Sequence, residues 1–215
     1  MISSTTTIHS MNFLVEKNQE YIEHYKLNPL ICLIESDAMS NQCTRNQLLN
    51  CIQVFSDYFQ KTALVRCALT ETPKLLAVAQ QHLSEEFGHN LILQTDRKDK
   101  SPLWDAVLDA TSSWFVWKMF TLNDYEKTVL MHLVLETSAD LFFKKAHKVM
   151  QQYHETEYFS IHASADEGHA NMGIDFLKDL TQPIYERLLE IQSKGWDVLN
   201  AACIRIAQLT VSGKA

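Results

Sequence analysis

The chain of 215 residues is poor in the residues that make turns, with 5 glycines and 4 prolines, about a third of their usual share. A sandwich or barrel of many short strands needs turn residues at close, regular intervals, and that class is excluded. Long hydrophobic runs are also missing. No stretch approaches the roughly 20 apolar residues that carry a helix across a bilayer. No C-x-x-C pair is present, and the cysteines, Cys32, Cys43, Cys51, Cys67 and Cys203, are odd in number. That argues against a disulfide framework and suits free, inert thiols in a reducing compartment. Basic clusters are absent and the net charge is −7, so a nucleic-acid groove is not expected. The amino end, MISSTTTIHSMNF, has no Lys or Arg before Lys17 and no apolar run. It does not read as a secretory or transit segment. The expectation is a cytoplasmic protein with neither nucleic acid nor membrane as partner.

What remains is 46% hydrophobic and 21% charged, the balance of a globular domain with a real core. The apolar residues recur at helical spacing. Val129, Leu133, Ala139 and Phe143 share a face, as do Leu188, Ile191, Val198 and Ala202. The pattern predicts helices over about 12–26, 30–39, 44–69, 73–95, 102–120, 123–153, 156–180 and 183–209. Thr72-Pro73 and Ser101-Pro102 carry the N-cap and first-turn proline signature. About eight helices and no convincing strand imply one all-α helical bundle over residues 11–210. Residues 1–10 and 211–215 are expected to be flexible ends. The aromatic run Trp114, Phe115, Trp117 and Phe120 reads as core or subunit interface, and a homodimer is expected.

The informative residues break the apolar pattern. After Pro73 one stripe carries Glu86 and then His89 or Asn90. After Asn123 an apolar stripe carries Glu136. On the next predicted helix His162, Asp166 and His169 fall in one arc, because spacings of four and three return to the same side. Carboxylates and imidazoles that face a core are costly unless paired or metal-bound. A carboxylate three residues before a histidine arises by chance in a chain of this composition; His-x3-Asp-x2-His is far rarer. Together they form a candidate metal set: Glu86, His89, Glu136, His162, Asp166 and His169. Imidazole and carboxylate donors without thiolates suit iron, or manganese, rather than structural zinc. Glu85, His82, His132 and Asp140 lie within a turn of these residues and are open alternatives. Gly88 and Gly168 interrupt the predicted ligand helices; tight packing and room beside metals both explain them.

At these residues the chain resembles the haem-oxygenase-like superfamily, which includes thiaminase II (TenA) and PqqC. More narrowly it is similar to that superfamily's di-iron oxidases and oxygenases. The likeness rests on Glu85-Glu86-Phe87-Gly88-His89, on the isolated Glu136, and on His162-Ala-Ser-Ala-Asp166-Glu-Gly-His169. It implies two irons per chain and O2-dependent oxidation of a small metabolite: an amino acid, an amine or a fatty acid. The alternatives are a metal-independent enzyme like TenA (a hydrolase) or PqqC, and a non-catalytic helical binding module. The stretch His154–Gly173 is rich in weak helix formers. It is expected to be the most mobile helix, over about 155–172, until metal orders it.

Overall fold

The computed structural model describes residues 9–97, 100–153, 156–164 and 168–213. Among them the only regular structure is helical. Helix α1 (Met11–Tyr25) is capped by Ser10, whose hydroxyl accepts from the Phe13 amide. Helix α2 (Pro29–Ile34) follows Asn28-Pro29 and gives way to a 3₁₀ turn at Asp37–Ser40. Helix α3 (Gln42–Ala68) is capped by Asn41, not by Thr44 as its sequence suggests, because the Asn41 side chain reaches the Cys43 and Thr44 amides. Helix α4 (Pro73–Glu86) starts where Thr72-Pro73 predicts. Its free amide end is held from outside, by the Asp124 carboxylate accepting from Glu71 and Thr72. Helix α6 (Ala106–Thr121) begins later than Ser101-Pro102 implies, because Asp105 accepts from the Val107 and Leu108 amides.

Three of the predicted long helices are broken, and each break lies at the polar cluster. The helix expected over 73–95 ends at Glu86. Helix α5 (His89–Asp96) then starts in a new direction after Gly88, whose φ is +92°. A Cβ added at Gly88 would meet nothing within 4 Å. Neither packing nor space for a metal therefore requires this glycine; the left-handed backbone does. Gly88→Ala should cost about 1–2 kcal/mol, the penalty of an L-residue in that region. Denaturant unfolding measures it, and an unchanged midpoint would rule out the backbone explanation.

The second break is one of pitch. Helix α7 (Asp124–Thr128) opens on a capping box between Asn123 and Glu126. It runs into a π-helical segment, Val129–Glu136, and then α8 (Thr137–Met150). All eight residues of the π segment are buried. The wider π turn offers every side of the helix to neighbours, and such insertions concentrate at functional sites. The third break replaces the helix expected over 156–180. Helix α9 (Glu157–Ser164) is followed, from Gly168, by 3₁₀ turns at His169–Asn171 and Ile174–Leu177, with Gly173 at φ +75° between them.

The long C-terminal helix α10 (Gln182–Ser212) packs against α3, α6 and the π segment. Trp196, fully buried, donates from Nε1 to Asn18 Oδ1 at 2.9 Å, and Gln192 reaches the same oxygen at 3.1 Å, which ties α10 to α1. A Cβ on Gly195 would lie 2.6 Å from Leu130 Cδ1, so α10 approaches the π segment where only glycine fits. On α6, Phe115 enters the core against Phe55, while Trp117 and Phe120 lie side by side at the surface with their rings tilted by 35°. All five cysteines are free. No helix among the described residues is long and apolar enough to cross a membrane.

Candidate metal centre

Four pieces of chain deliver the polar cluster: the end of α4, the start of α5, the end of the π segment, and the stretch from α9 to the first 3₁₀ turn. Glu86 is at its middle, 4% exposed. Its two carboxylate oxygens face different partners. On one side His89 Nδ1 donates to Oε2 at 3.0 Å, and His162 Nε2 stands 3.7 Å from the same oxygen. On the other, Oε1 is 3.3 Å from His169 Nδ1, which is also 3.5 Å from Glu136 Oε2. Glu136 Oε1 in turn accepts from His82 Nε2 at 2.8 Å. The donor atoms form two overlapping groups, Glu86–His89–His162 and His82–Glu86–Glu136–His169, each with its atoms within 4.8 Å of one another. Glu86 belongs to both.

Of the six residues expected from sequence, five converge here: Glu86, His89, Glu136, His162 and His169. Asp166 lies outside the described residues. His82, one turn before Glu86 and 1% exposed, joins the cluster in full. Its signal in the sequence was its place on the Glu86 stripe, which did not distinguish it from a core histidine. Glu85 touches only the outer edge, where its carboxylate accepts from His169 Nε2 at 2.8 Å. Asp140 turns away to Lys144 at 2.9 Å. His132 stands behind the cluster and donates from Nδ1 to the His169 carbonyl at 2.7 Å. The single-arc argument for His162 and His169 does not hold, since they sit on separate elements. They converge because His162 is aimed from α9 and His169 from the turn beyond it.

Orientation is set by neighbours. His162 donates from Nδ1 to the Tyr158 carbonyl at 2.7 Å and stacks on Phe143 at 4.3 Å. That bond fixes the tautomer and leaves the Nε2 lone pair toward Glu86, the arrangement of metal-ligating histidines. Burial raises the pKa of Glu86, but the facing imidazoles of His162, His169 and His89 outweigh it and hold the carboxylate ionised well below its usual range. Glu136 follows the same pattern, with burial opposed by His169 and His82. Hydrogen bonding to Glu136 and Glu86 raises His169 to about 11. Burial, then the charges of Arg66 and His82, pushes His132 well below its usual value, so this ring is neutral. Arg66, 2% exposed, has no hydrogen-bond partner at Nη1 or Nη2 among the described residues. Burial lowers its pKa to about 10, with Glu136 pulling the other way. It stays charged at neutral pH, a cation buried near an acidic centre.

The His169 shift has a consequence for metal binding. At neutral pH without metal, His169 carries the proton that a metal must displace. Apparent metal affinity should therefore rise about tenfold per pH unit below pH ~11 from this group alone. The fold responds in the opposite sense. A raised folded-state pKa adds stability to the metal-free protein below about pH 6.5, and this is lost as pH rises toward about 11. Titration calorimetry in buffers of different ionisation enthalpy should count the released proton. Zero protons released would overturn the assignment.

A cavity of about 80 Å³ opens on Glu86, Glu136 and His162. It runs between α3, α8, α9 and α10 to Tyr25 and Cys203, whose hydroxyl and sulfur lie 3.5 Å apart. The Cys203 thiol is pushed up to about 12 by burial, which removes it as a nucleophile.

No model of a known protein family matches the chain. A protein of Rickettsia prowazekii, the uncharacterised protein RP592, is 33% identical over 200 residues, covering 93% of this chain and 96% of its own. The chain belongs to the RP592 family. A crystal structure from Shewanella denitrificans, of a domain of unknown function with a haem-oxygenase-like fold, superimposes with a TM-score of 0.71. It covers 97% of this chain and 98% of its own at 15% identity. The RP592-family chain therefore has an all-α, haem-oxygenase-like fold, as the resemblance implied.

Proposed function

We propose that this RP592-family protein is a non-haem di-iron oxidase or oxygenase that uses O2 to oxidise a small molecule. One observation carries the reading: Glu86 presents one carboxylate oxygen to His89 and His162 and the other to His169, beside Glu136 and His82. A buried carboxylate shared by two imidazole-rich groups is the donor arrangement for a pair of divalent ions. The donors fit iron or manganese, being nitrogen and oxygen without thiolate. Half of the centre would be held by His89, His162 and Glu86, and half by His82, Glu136, His169 and Glu86. Two Fe(II) would supply the electrons that activate O2. The protein's part is positional. The Tyr158 carbonyl and the Phe143 ring hold His162; Glu85 and His132 hold His169 from two sides. The apolar cavity keeps bulk water from the face of Glu86 and Glu136 where substrate and O2 would meet.

Anaerobic reconstitution with Fe(II), followed by elemental analysis, should give two irons per chain, and the loaded protein should consume O2. Absence of bound metal after reconstitution overturns the proposal. Glu136→Ala should lower the stoichiometry toward one, since His89 and His162 do not depend on it. Far-UV circular dichroism should still report a helical bundle, although removing one partner of the buried His82–Glu136 pair should lower stability by about 3–5 kcal/mol.

A further inference from the structure

The cavity beside the centre is built unevenly. Among the described residues its only charged wall residues, Glu86 and Glu136, lie at the end where the metals are proposed. The rest of the wall is apolar and largely aromatic, from Phe55, Phe59, Phe142 and Phe143 to Leu199 and Ile206. The hydroxyls that reach it are already engaged. Tyr158 donates to Ser56 Oγ at 3.1 Å, Ser138 donates to the Leu135 carbonyl at 2.8 Å, and the Tyr25 hydroxyl is beside Cys203 Sγ. Among the described residues no Lys, Arg, Asn or Gln lines it. A charge carried to the far end would be desolvated without a partner, at a cost of several kcal/mol. Size sets a second limit. An engineered apolar cavity of about 150 Å³ accommodates benzene, and this one measures about 80 Å³.

We propose that the substrate is one-ended. All its polar groups lie at the Glu86–Glu136–His162 end, and its body is a short aliphatic chain of no more than about six carbons seated among the phenylalanines. This rests on the di-iron reading for the chemistry at the head. The selectivity of the body comes from the wall alone. Two-ended molecules such as dicarboxylates, diamines and ω-amino acids are excluded, and so are long-chain fatty acids.

The test is equilibrium binding to Fe(II)-reconstituted protein under argon, with metal content measured on the same samples. Hexanoate and hexylamine supply the two head types. Hexanedioate, 1,6-diaminohexane and 6-aminohexanoate add a second charge at the far end, and hexadecanoate adds length. At least one of hexanoate and hexylamine should bind. Every two-ended counterpart should bind more than about thirtyfold more weakly, as an unpaired buried charge requires, and hexadecanoate should bind more weakly than hexanoate. Ala139→Leu, which grows into the cavity, should abolish binding and leave the metal stoichiometry unchanged. Ala139→Phe repeats the test with a larger plug, and circular dichroism checks that both variants fold. Equal binding of hexanoate and hexanedioate, preference for hexadecanoate, no binding by either short probe, or indifference to both Ala139 variants would overturn the proposal. A sample without metal would instead count against the di-iron reading. The wall selectivity is then read on the metal-free protein, where the same order is expected.

Discussion

Glu86→Gln should remove both metals, not one. The substitution keeps the shape of the side chain and removes its charge. Each oxygen of Glu86 faces a different group of imidazoles, so neither half keeps its full donor set. Replacing a residue that only supports a ligand costs about 10–100-fold in metal affinity. Loss of a shared anionic ligand should exceed that at both halves, giving less than one iron per chain where the unaltered protein holds two. His89→Ala is the control. It removes one donor from the Glu86–His162 group and leaves the His82–Glu136–His169 group intact, so about one metal should remain. Elemental analysis after anaerobic loading measures all three proteins. If Glu86→Gln retains two irons, the carboxylate is not shared and the centre is not dinuclear through this residue.

Metal should also order the chain around His162 and His169. Helix α9 has only eight residues, too short to stand by its own propensity. The 3₁₀ turns after Gly168, three and four residues long, are shorter still. Some anchors exist without metal: Tyr158 donates its amide to Asp96 at 2.9 Å, and His132 holds the His169 carbonyl. Further polar ties run through His162 and His169 to Glu86, Glu136 and Glu85. When these become metal bonds, binding energy becomes local folding energy. Amide hydrogen exchange within 157–164 and 168–177 should slow by about tenfold or more on adding Fe(II), while α3 and α10 change little. Glu86→Gln should abolish the slowing. Equal protection with and without Fe(II) would mean that packing alone holds this region.

Much of the site could be read before any fold was known. Glu86, Glu136, His162 and His169 stood out because charged or titratable groups on apolar stripes need a reason to be there. His89 followed from its distance to Glu86. These inferences require only a helical period, and they survive even where the helix does not continue. Glu86 and His89 still meet, although Gly88 turns the chain between them. The helix starts at Pro73 and beside Pro183 were equally legible, because proline acts through local backbone geometry; the same signature at Ser101-Pro102 was not followed. Those at Asn41 and Asp105 were misplaced by a few residues, because several polar side chains nearby were equally able to cap.

Composition and period were thus enough to determine an all-α chain, most of its helix starts and most of the polar residues that gather at one place. Those properties depend on neighbours within a turn or two along the chain. Only the tertiary structure decided the π pitch of Val129–Glu136, the kink at Gly88, the inclusion of His82 and the exclusion of Asp140. The physical reason is the same in each case. A wider helical turn is stabilised by partners on every side, a left-handed glycine by the direction the next helix must take, and a buried histidine by a carboxylate 54 residues away. Contacts between distant segments set these features, and local sequence does not encode which segments will meet.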